Sequence, residues 1–350
     1  MCYFFVFHVL NQWKIMIDYR TRFNISRDLF RQHGMVSSKL PALIKTVAML
    51  VTITAVTAAC DIGDKQGTVV VKSENQDTRV RIVVIHHTTA DFQESLDILT
   101  KKSNRPVSSH YLVPEPGDPS YSGKNLRLYS LVNEEGRAWH AGSSYWAGKT
   151  SLNDMSIGIE LVNQTYCHRS EEVIPPEAID QEPARICFYP DFAEPQLEIL
   201  LDLLEGIMER HTEVKPTHII GHSDIAPQRK IDPGPRFPWQ RLYRLGYGAW
   251  YDDETVVKYW EQFRKEIPPV LTLQTALNTY GYGIELSGEH DKQSRNVVRA
   301  FQMHFLPWQV NLEFTAETVA VLYALLEKYY PSELELLISE SKPDDDTGGG

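Results

Sequence analysis

Basic residues are in short supply in this 350-residue chain: 35 Lys and Arg stand against 46 Asp and Glu, a formal charge of −11 at pH 7. An acidic chain lacks the electropositive footprint that a phosphate backbone demands, so nucleic-acid binding is set aside. Cysteine is scarce too. The four present, Cys2, Cys60, Cys167 and Cys187, include no C-x-x-C pair, which argues against a cysteine-built zinc site. Residues 46–59 are uncharged and largely apolar, but 14 residues fall short of the roughly 20 a membrane-spanning helix needs. What the chain does have is 42% hydrophobic residues, enough for a sizeable core, and a length that fits two domains.

The short apolar stretch reads as the core of an export signal over 35–59. Lys39 and Lys45 supply the positive start, and Ala58-Ala59 lead into Cys60. Small residues before a cysteine resemble a lipobox, in which Cys60 is acylated and becomes the mature N-terminus, although Thr57 stands where leucine is commoner. The alternative is a plain signal peptide with an incidental cysteine. A periplasmic protein held by lipid to the outer membrane is expected, with Asp61 leaving the inner membrane open as the other choice. Residues 1–34 fit no part of a signal and read as an upstream extension or a misassigned start; the polar residues 60–78 read as a tether. Export puts Cys167 and Cys187 in an oxidising compartment. A disulfide closing the polar, proline-bearing segment between them would stabilise by about 3 kcal/mol in the chain-entropy model; the alternative is two free thiols.

Periodicity organises the rest. Arg81–Ile85, Tyr111–Val113, Leu128–Val132 and Thr217–Gly221 read as strands, and Ser156–Val162 alternates, with Ile157, Ile159 and Leu161 on one face and Ser156, Gly158 and Glu160 on the other. Residues 93–101 and 195–211 read as helices, the second amphipathic and opening on Pro195. This order predicts an α/β fold over 79–250, a mixed central β-sheet flanked by helices. After a short connecting helix, Leu271–Tyr280, Gln293–Phe305 and Ala316–Tyr329 predict a separate small three-helix domain over 267–331. Residues 332–350, ending in SKPDDDTGGG, are expected to be a disordered tail.

Two strands end in histidine: His86 follows Ile85, and His222 follows Gly221, with Asp232 ten residues on. Two imidazoles and a carboxylate suit a catalytic zinc ion whose fourth position takes water. No spacing rule joins them, and taken singly each histidine would be read as packing. Glu160 leaves the apolar face of its strand and is placed to move a proton. Lys230, two residues before Asp232, projects to the same side of an extended segment and would face a developing oxyanion. Trp139 and Trp146 are candidates for stacking on sugar faces, the alternative being burial; Asn153 and Asp154 read as turn-makers, the alternative being substrate contact.

The segments VIHHTTA, VSSHYLVPE, WHAGSSYW, LNDMSIGIELVN and GHSDIAPQRKIDPGPRFPW, in this order, resemble the zinc N-acetylmuramoyl-L-alanine amidases of the amidase_2 family, most closely its AmiD lipoprotein branch. The resemblance covers about residues 80–250, and the C-terminal segment around 298–305 resembles that branch's peptidoglycan-binding helical module. It implies Zn2+ as cofactor with His86, His222 and Asp232 as ligands, Glu160 as catalytic carboxylate, Lys230 as oxyanion stabiliser, and His140 beside Trp139 as part of a substrate groove. His87 stands where close relatives have tyrosine and is not the ligand. The implied reaction is hydrolysis of the amide between N-acetylmuramic acid and L-alanine in peptidoglycan or muropeptides, including 1,6-anhydro forms, with no obligate protein partner. Two rivals are a non-catalytic peptidoglycan receptor on the same fold, which would lack part of the zinc set, and a muramidase, which would need two carboxylates and no metal.

Overall fold

A computed structural model of the chain describes residues 71, 73–169 and 185–340. The export segment with Cys60, most of the tether, the centre of the 167–187 insertion and the last ten residues lie outside the described residues. The chain divides into two compact units, Met1–Gln76 and Asp77–Gly350, and the second carries the elements of regular structure among the described residues.

These run β1 (Ile82–His87), α1 (Phe92–Thr100), β2 (Tyr111–Val113), β3 (Tyr129–Ser130), β4 (Tyr145–Trp146), β5 (Lys149–Thr150) and β6 (Ser156–Leu161). Then come β7 (Tyr166–Arg169), β8 (Arg185–Phe188), α2 (Glu194–Arg210), β9 (Ile219–Gly221), α3 (His222–Ile225) and α4 (Trp239–Arg244). The chain continues through α5 (Asp253–Phe263), α6 (Val270–Tyr280), α7 (Lys292–Phe305), α8 (Ala316–Tyr329) and α9 (Pro331–Glu340). The main sheet has the order β3-β2-β6-β1-β9. Strands β2, β6, β1 and β9 are parallel, and β3 closes one edge antiparallel to β2. This is the mixed sheet the sequence predicts. β1 is buried along its whole length, as a central parallel strand covered on both faces must be, and its β-branched run IVVI suits that place.

Local chemistry sets the helices. The Asp91 carboxylate accepts the Glu94 N–H at 2.9 Å and caps α1. α2 begins with proline in its first turn and turns Leu197, Leu200, Leu204 and Ile207 into the core. Buried Gln196 donates to the carbonyls of Val162 (2.8 Å) and Val113 (3.3 Å), satisfying two strand-end acceptors that water does not reach. The ends of the 167–187 insertion pair as the antiparallel hairpin β7–β8, with Cys167 opposite Cys187 and their sulfurs bonded.

The C-terminal helices follow the sequence expectation but pack closely on the sheet layer, their buried core continuous with its own. Two expectations need correction. Trp146 is 1% exposed, donates its indole N–H to the Thr217 carbonyl at 3.1 Å, and meets Tyr280 and Tyr282 edge-on, so it pins the seam and cannot stack on a sugar. Gly281 lies against this ring at φ +138°, and a Cβ there would come within 2.9 Å of it. A buried His304–Asp224 pair at 2.8 Å ties α7 to α3, and Tyr282 donates to the same carboxylate at 2.6 Å. The expected disordered tail is also wrong at its start, because residues 331–340 form α9 and bury Leu334 and Leu337 on one face. Spacing of three residues lets two leucines share a helical face, which outweighs the polar residues between them.

Candidate functional site

Strand register assembles the site. His86 on β1 lies opposite Glu160 on β6, and Ile85 lies opposite Gly221 on β9, so His222 emerges beside His86 at the carboxyl ends of parallel strands. Crevices at such strand ends are where α/β sheets place their ligands. Asp232 returns to this point because the Ser223 N–H donates to the Asp232 carbonyl at 2.8 Å, ahead of a cis Asp232–Pro233 peptide.

Three side-chain atoms converge there. His86 Nδ1 is 2.9 Å from His222 Nδ1, and Asp232 Oδ2 is 3.2 Å from the first and 3.0 Å from the second. Ligands about 2.0 Å from one tetrahedral ion sit about 3.3 Å apart, so this triangle fits a small divalent cation such as zinc. All three residues are buried. His87 is not in the cluster; its Nδ1 bonds the Pro233 carbonyl at 3.1 Å. Glu160 Oε1 stands 3.9 Å from His86 Nδ1, outside the triangle, and Glu160 Oε2 is buried with no hydrogen-bond partner.

Burial governs the charge states. It lowers His86 to about 4, helped by the neighbouring His222. It also holds His140 well below the ordinary imidazole value, with His86, His110 and His222 adding to the effect. Both rings therefore stay neutral near pH 7. Burial alone would raise Asp232, but its contacts with His222 and His86 outweigh that and keep the carboxyl well below its usual range. Glu160 moves the other way: burial and then the Asp232 charge push it up to about 8, against a partial pull from Lys230.

A cavity of about 150 Å³ is lined by the trio together with Glu160, Lys230, Trp139 and His140. Trp139 is 46% exposed at it. His140 borders the cavity but is only 7% exposed, and both its ring nitrogens are engaged inside the protein, by His86 at 3.0 Å and Ser156 at 3.1 Å. No described residue of the disulfide hairpin lines this cavity.

Several residues escaped the sequence reading. Asn153 does more than make a turn: its side-chain oxygen accepts the N–H groups of both His140 and Ala141, at 3.1 and 2.8 Å, and so holds the loop carrying His140. Arg229 ties that loop to the segment between His222 and Asp232 by donating to the carbonyls of Ala141 and Ser143. Gly158 leaves room for the His140 ring, which a Cβ would meet at 2.4 Å. The alternation of β6 put Ser156, Gly158 and Glu160 on one face, and that face was the available signal.

A family model described as N-acetylmuramoyl-L-alanine amidase matches residues 76–235, and one described as a putative peptidoglycan binding domain matches 267–311. The chain is similar to N-acetylmuramoyl-L-alanine amidase AmiD of Escherichia coli K12, 44% identical over 253 residues that cover 72% of this chain and 84% of the relative. It is similar over a shorter span to 1,6-anhydro-N-acetylmuramyl-L-alanine amidase AmpD of Haemophilus influenzae, 34% identical over 39% of this chain and 56% of the relative. Among solved structures it resembles AmpDh3 from Pseudomonas aeruginosa, with a TM-score of 0.66 at 40% identity, covering 75% of this chain and 98% of the other. E. coli AmiD in complex with anhydro-N-acetylmuramic acid-L-Ala-D-gamma-Glu-L-Lys gives a TM-score of 0.61 at 42% identity, over 74% of this chain and 93% of the other.

Proposed function

We infer that this chain, which belongs to the N-acetylmuramoyl-L-alanine amidase family, works through Glu160 and Lys230 on an amide brought to the His86–His222–Asp232 cluster. It is an amidase, and its reaction is hydrolysis of the bond between N-acetylmuramic acid and L-alanine in peptidoglycan or its fragments. The relatives include enzymes named for 1,6-anhydro substrates, and we extend that substrate class to this chain.

The single observation that carries the mechanism is the convergence of two imidazole nitrogens and a carboxylate oxygen within 3.2 Å of one another, beside a carboxyl raised to about 8. We assign the cluster to Zn2+, held by His86, His222 and Asp232; when bound, zinc supplies Lewis acidity and makes water nucleophilic near neutral pH. Glu160 takes the proton from the attacking water and later delivers it to the nitrogen of L-alanine as the carbon–nitrogen bond breaks. The Lys230 ammonium, at the same cavity, steadies the oxyanion that develops on the attacked carbonyl. Trp139 is exposed at the cavity and offers a ring face to a sugar. These residues are all present, which favours an enzyme over a receptor, and the cluster favours metal-assisted amide cleavage over a two-carboxylate muramidase.

The helical region carries a peptidoglycan-binding domain match, and we assign it the task of holding the enzyme on the polymer. Trp308 supports this: it is 66% exposed and borders a groove of about 430 Å³ at the seam, next to Trp239 and Arg236. The AmiD relative and the peptidoglycan-binding match support a periplasmic or cell-wall location. The Cys167–Cys187 bond agrees with an oxidising compartment. Lipid attachment at Cys60 rests on the residues before it, and labelling with a radioactive fatty acid tests it. Mass spectrometry of defined muropeptides digested with zinc-replete and chelated protein tests the chemistry. Free stem peptide that appears with zinc and disappears on chelation is expected; cleavage of the glycosidic bond instead would overturn the assignment.

A further inference from the structure

The hydrogen bonds behind His86 form a chain with one consistent direction. Ser156 Oγ lies 2.6 Å from the Leu152 carbonyl, which can only accept, so the hydroxyl proton points there. Ser156 Oγ is then an acceptor towards His140 Nε2 at 3.1 Å, and that nitrogen carries the proton. A neutral imidazole has one N–H, so His140 Nδ1 is left as an acceptor. It faces His86 Nε2 at 3.0 Å, which must donate. The proton of His86 is thus committed to Nε2, and the lone pair of Nδ1 is turned to His222 and Asp232.

We propose that Ser156 and His140 are positioning residues that fix His86 as its Nε2–H tautomer and so present Nδ1 as a cation ligand. This rests on reading the trio as a cation site, and it gives His140 a task other than touching substrate. His222 is held from the same loop, its Nε2 lying 3.3 Å from the Ala141 carbonyl and 3.4 Å from the Arg229 guanidinium. Here the second partner of a ligating histidine is another histidine. An imidazole accepts or donates at either nitrogen, so it transmits an orientation only if something beyond it sets its own tautomer. Ser156 and the Leu152 carbonyl do that. The surroundings hold the relay ring still: Asn153 clamps its backbone, and Gly158 receives its face. Gly158 is itself anchored, with its N–H given to His110 Nδ1 at 3.0 Å and its carbonyl taking the Ser109 hydroxyl at 2.7 Å.

The test uses full-length protein labelled with 15N in histidine, stripped of metal, and two readouts. Long-range proton–nitrogen correlation spectra report the His86 tautomer without any metal, and competition against a chromophoric chelator reports zinc affinity. Wild type should show His86 protonated at Nε2 alone. Ser156→Ala, which removes one hydroxyl and leaves the His140 ring in place, should give a mixture of His86 tautomers. His140→Leu should do the same and weaken zinc binding about 10- to 100-fold, the range for losing a histidine's outer partner. His140→Asn restores an acceptor near the Nδ1 position and should recover most of that loss, which a purely structural role for the ring would not predict. A single Nε2–H tautomer and unchanged zinc affinity in both Ser156→Ala and His140→Leu would overturn the relay. If wild type shows the ordered tautomer but takes up no zinc, the relay stands and the cation assignment falls.

Discussion

Replacing Glu160 with glutamine should stabilise the metal-stripped protein while disabling the enzyme. The side chain is 14% exposed, its Oε2 has no hydrogen-bond partner, and burial with the Asp232 charge raises it from 4.5 to about 8. A carboxyl raised on folding leaves stability intact below its ordinary value and erodes it as pH climbs through the folded one. Between 4.5 and 8 the folded protein must hold a proton that the unfolded chain has released. At pH 7 that linkage amounts to about 3 kcal/mol, and glutamine, neutral at every pH, removes it. For a folded unit of this size the gain corresponds to roughly 6–10 °C in melting temperature. Calorimetry of chelated wild type and Glu160→Gln from pH 4 to 9 measures it directly. The difference should be near zero at pH 4, grow up to about pH 8 and level off above. Zinc-replete Glu160→Gln should meanwhile lose about 10²- to 10⁴-fold in kcat, the usual contribution of a general acid–base. A melting difference that is flat across pH, or a variant less stable than wild type, would refute the claim that the site holds Glu160 against its folding preference.

The opposite sign is expected at Glu134, where burial is outweighed by hydrogen bonds from Arg210, Tyr111 and His211 that hold the carboxyl at about 2. Glu134→Gln should cost about 2–3 kcal/mol above pH 5 in denaturant titrations, and the gap should close as pH falls towards 2. Trp146→Ala should cost about 3–5 kcal/mol and lower a single melting transition, since sheet and C-terminal helices share one core; two separated transitions would contradict that. Trp308→Ala should keep the wild-type melting temperature, because the ring is 66% exposed, yet weaken co-sedimentation with insoluble peptidoglycan by about tenfold.

Strand alternation made the polar face of β6 legible, and the apolar runs before His86 and His222 made both strand ends legible. Neither says that β1 lies between β6 and β9, which is what brings Glu160 and His222 to either side of His86. That neighbourhood is a matter of sheet order, and the family resemblance supplied it. The missing Cβ of Gly158 was visible as space, but nothing local says whose ring fills it. His140, in a segment resembling a substrate groove, proved to be that ring. Apolar periodicity found α6, α7 and α8 and could not say that Trp146 would meet Tyr280 and Tyr282, because burial does not name its partner. At the tail, the pull of acidic residues and glycines hid Leu334 and Leu337, whose spacing after Pro331 was the available helix signal.

Crystals grown with zinc and measured on both sides of its absorption edge test the central claim most directly. One strong anomalous peak should appear about 2.0 Å from His86 Nδ1, His222 Nδ1 and Asp232 Oδ2, with Glu160 beside it and not bound to it. No peak there, or a peak coordinated through His87 or through the Nε2 of His86, would contradict the account.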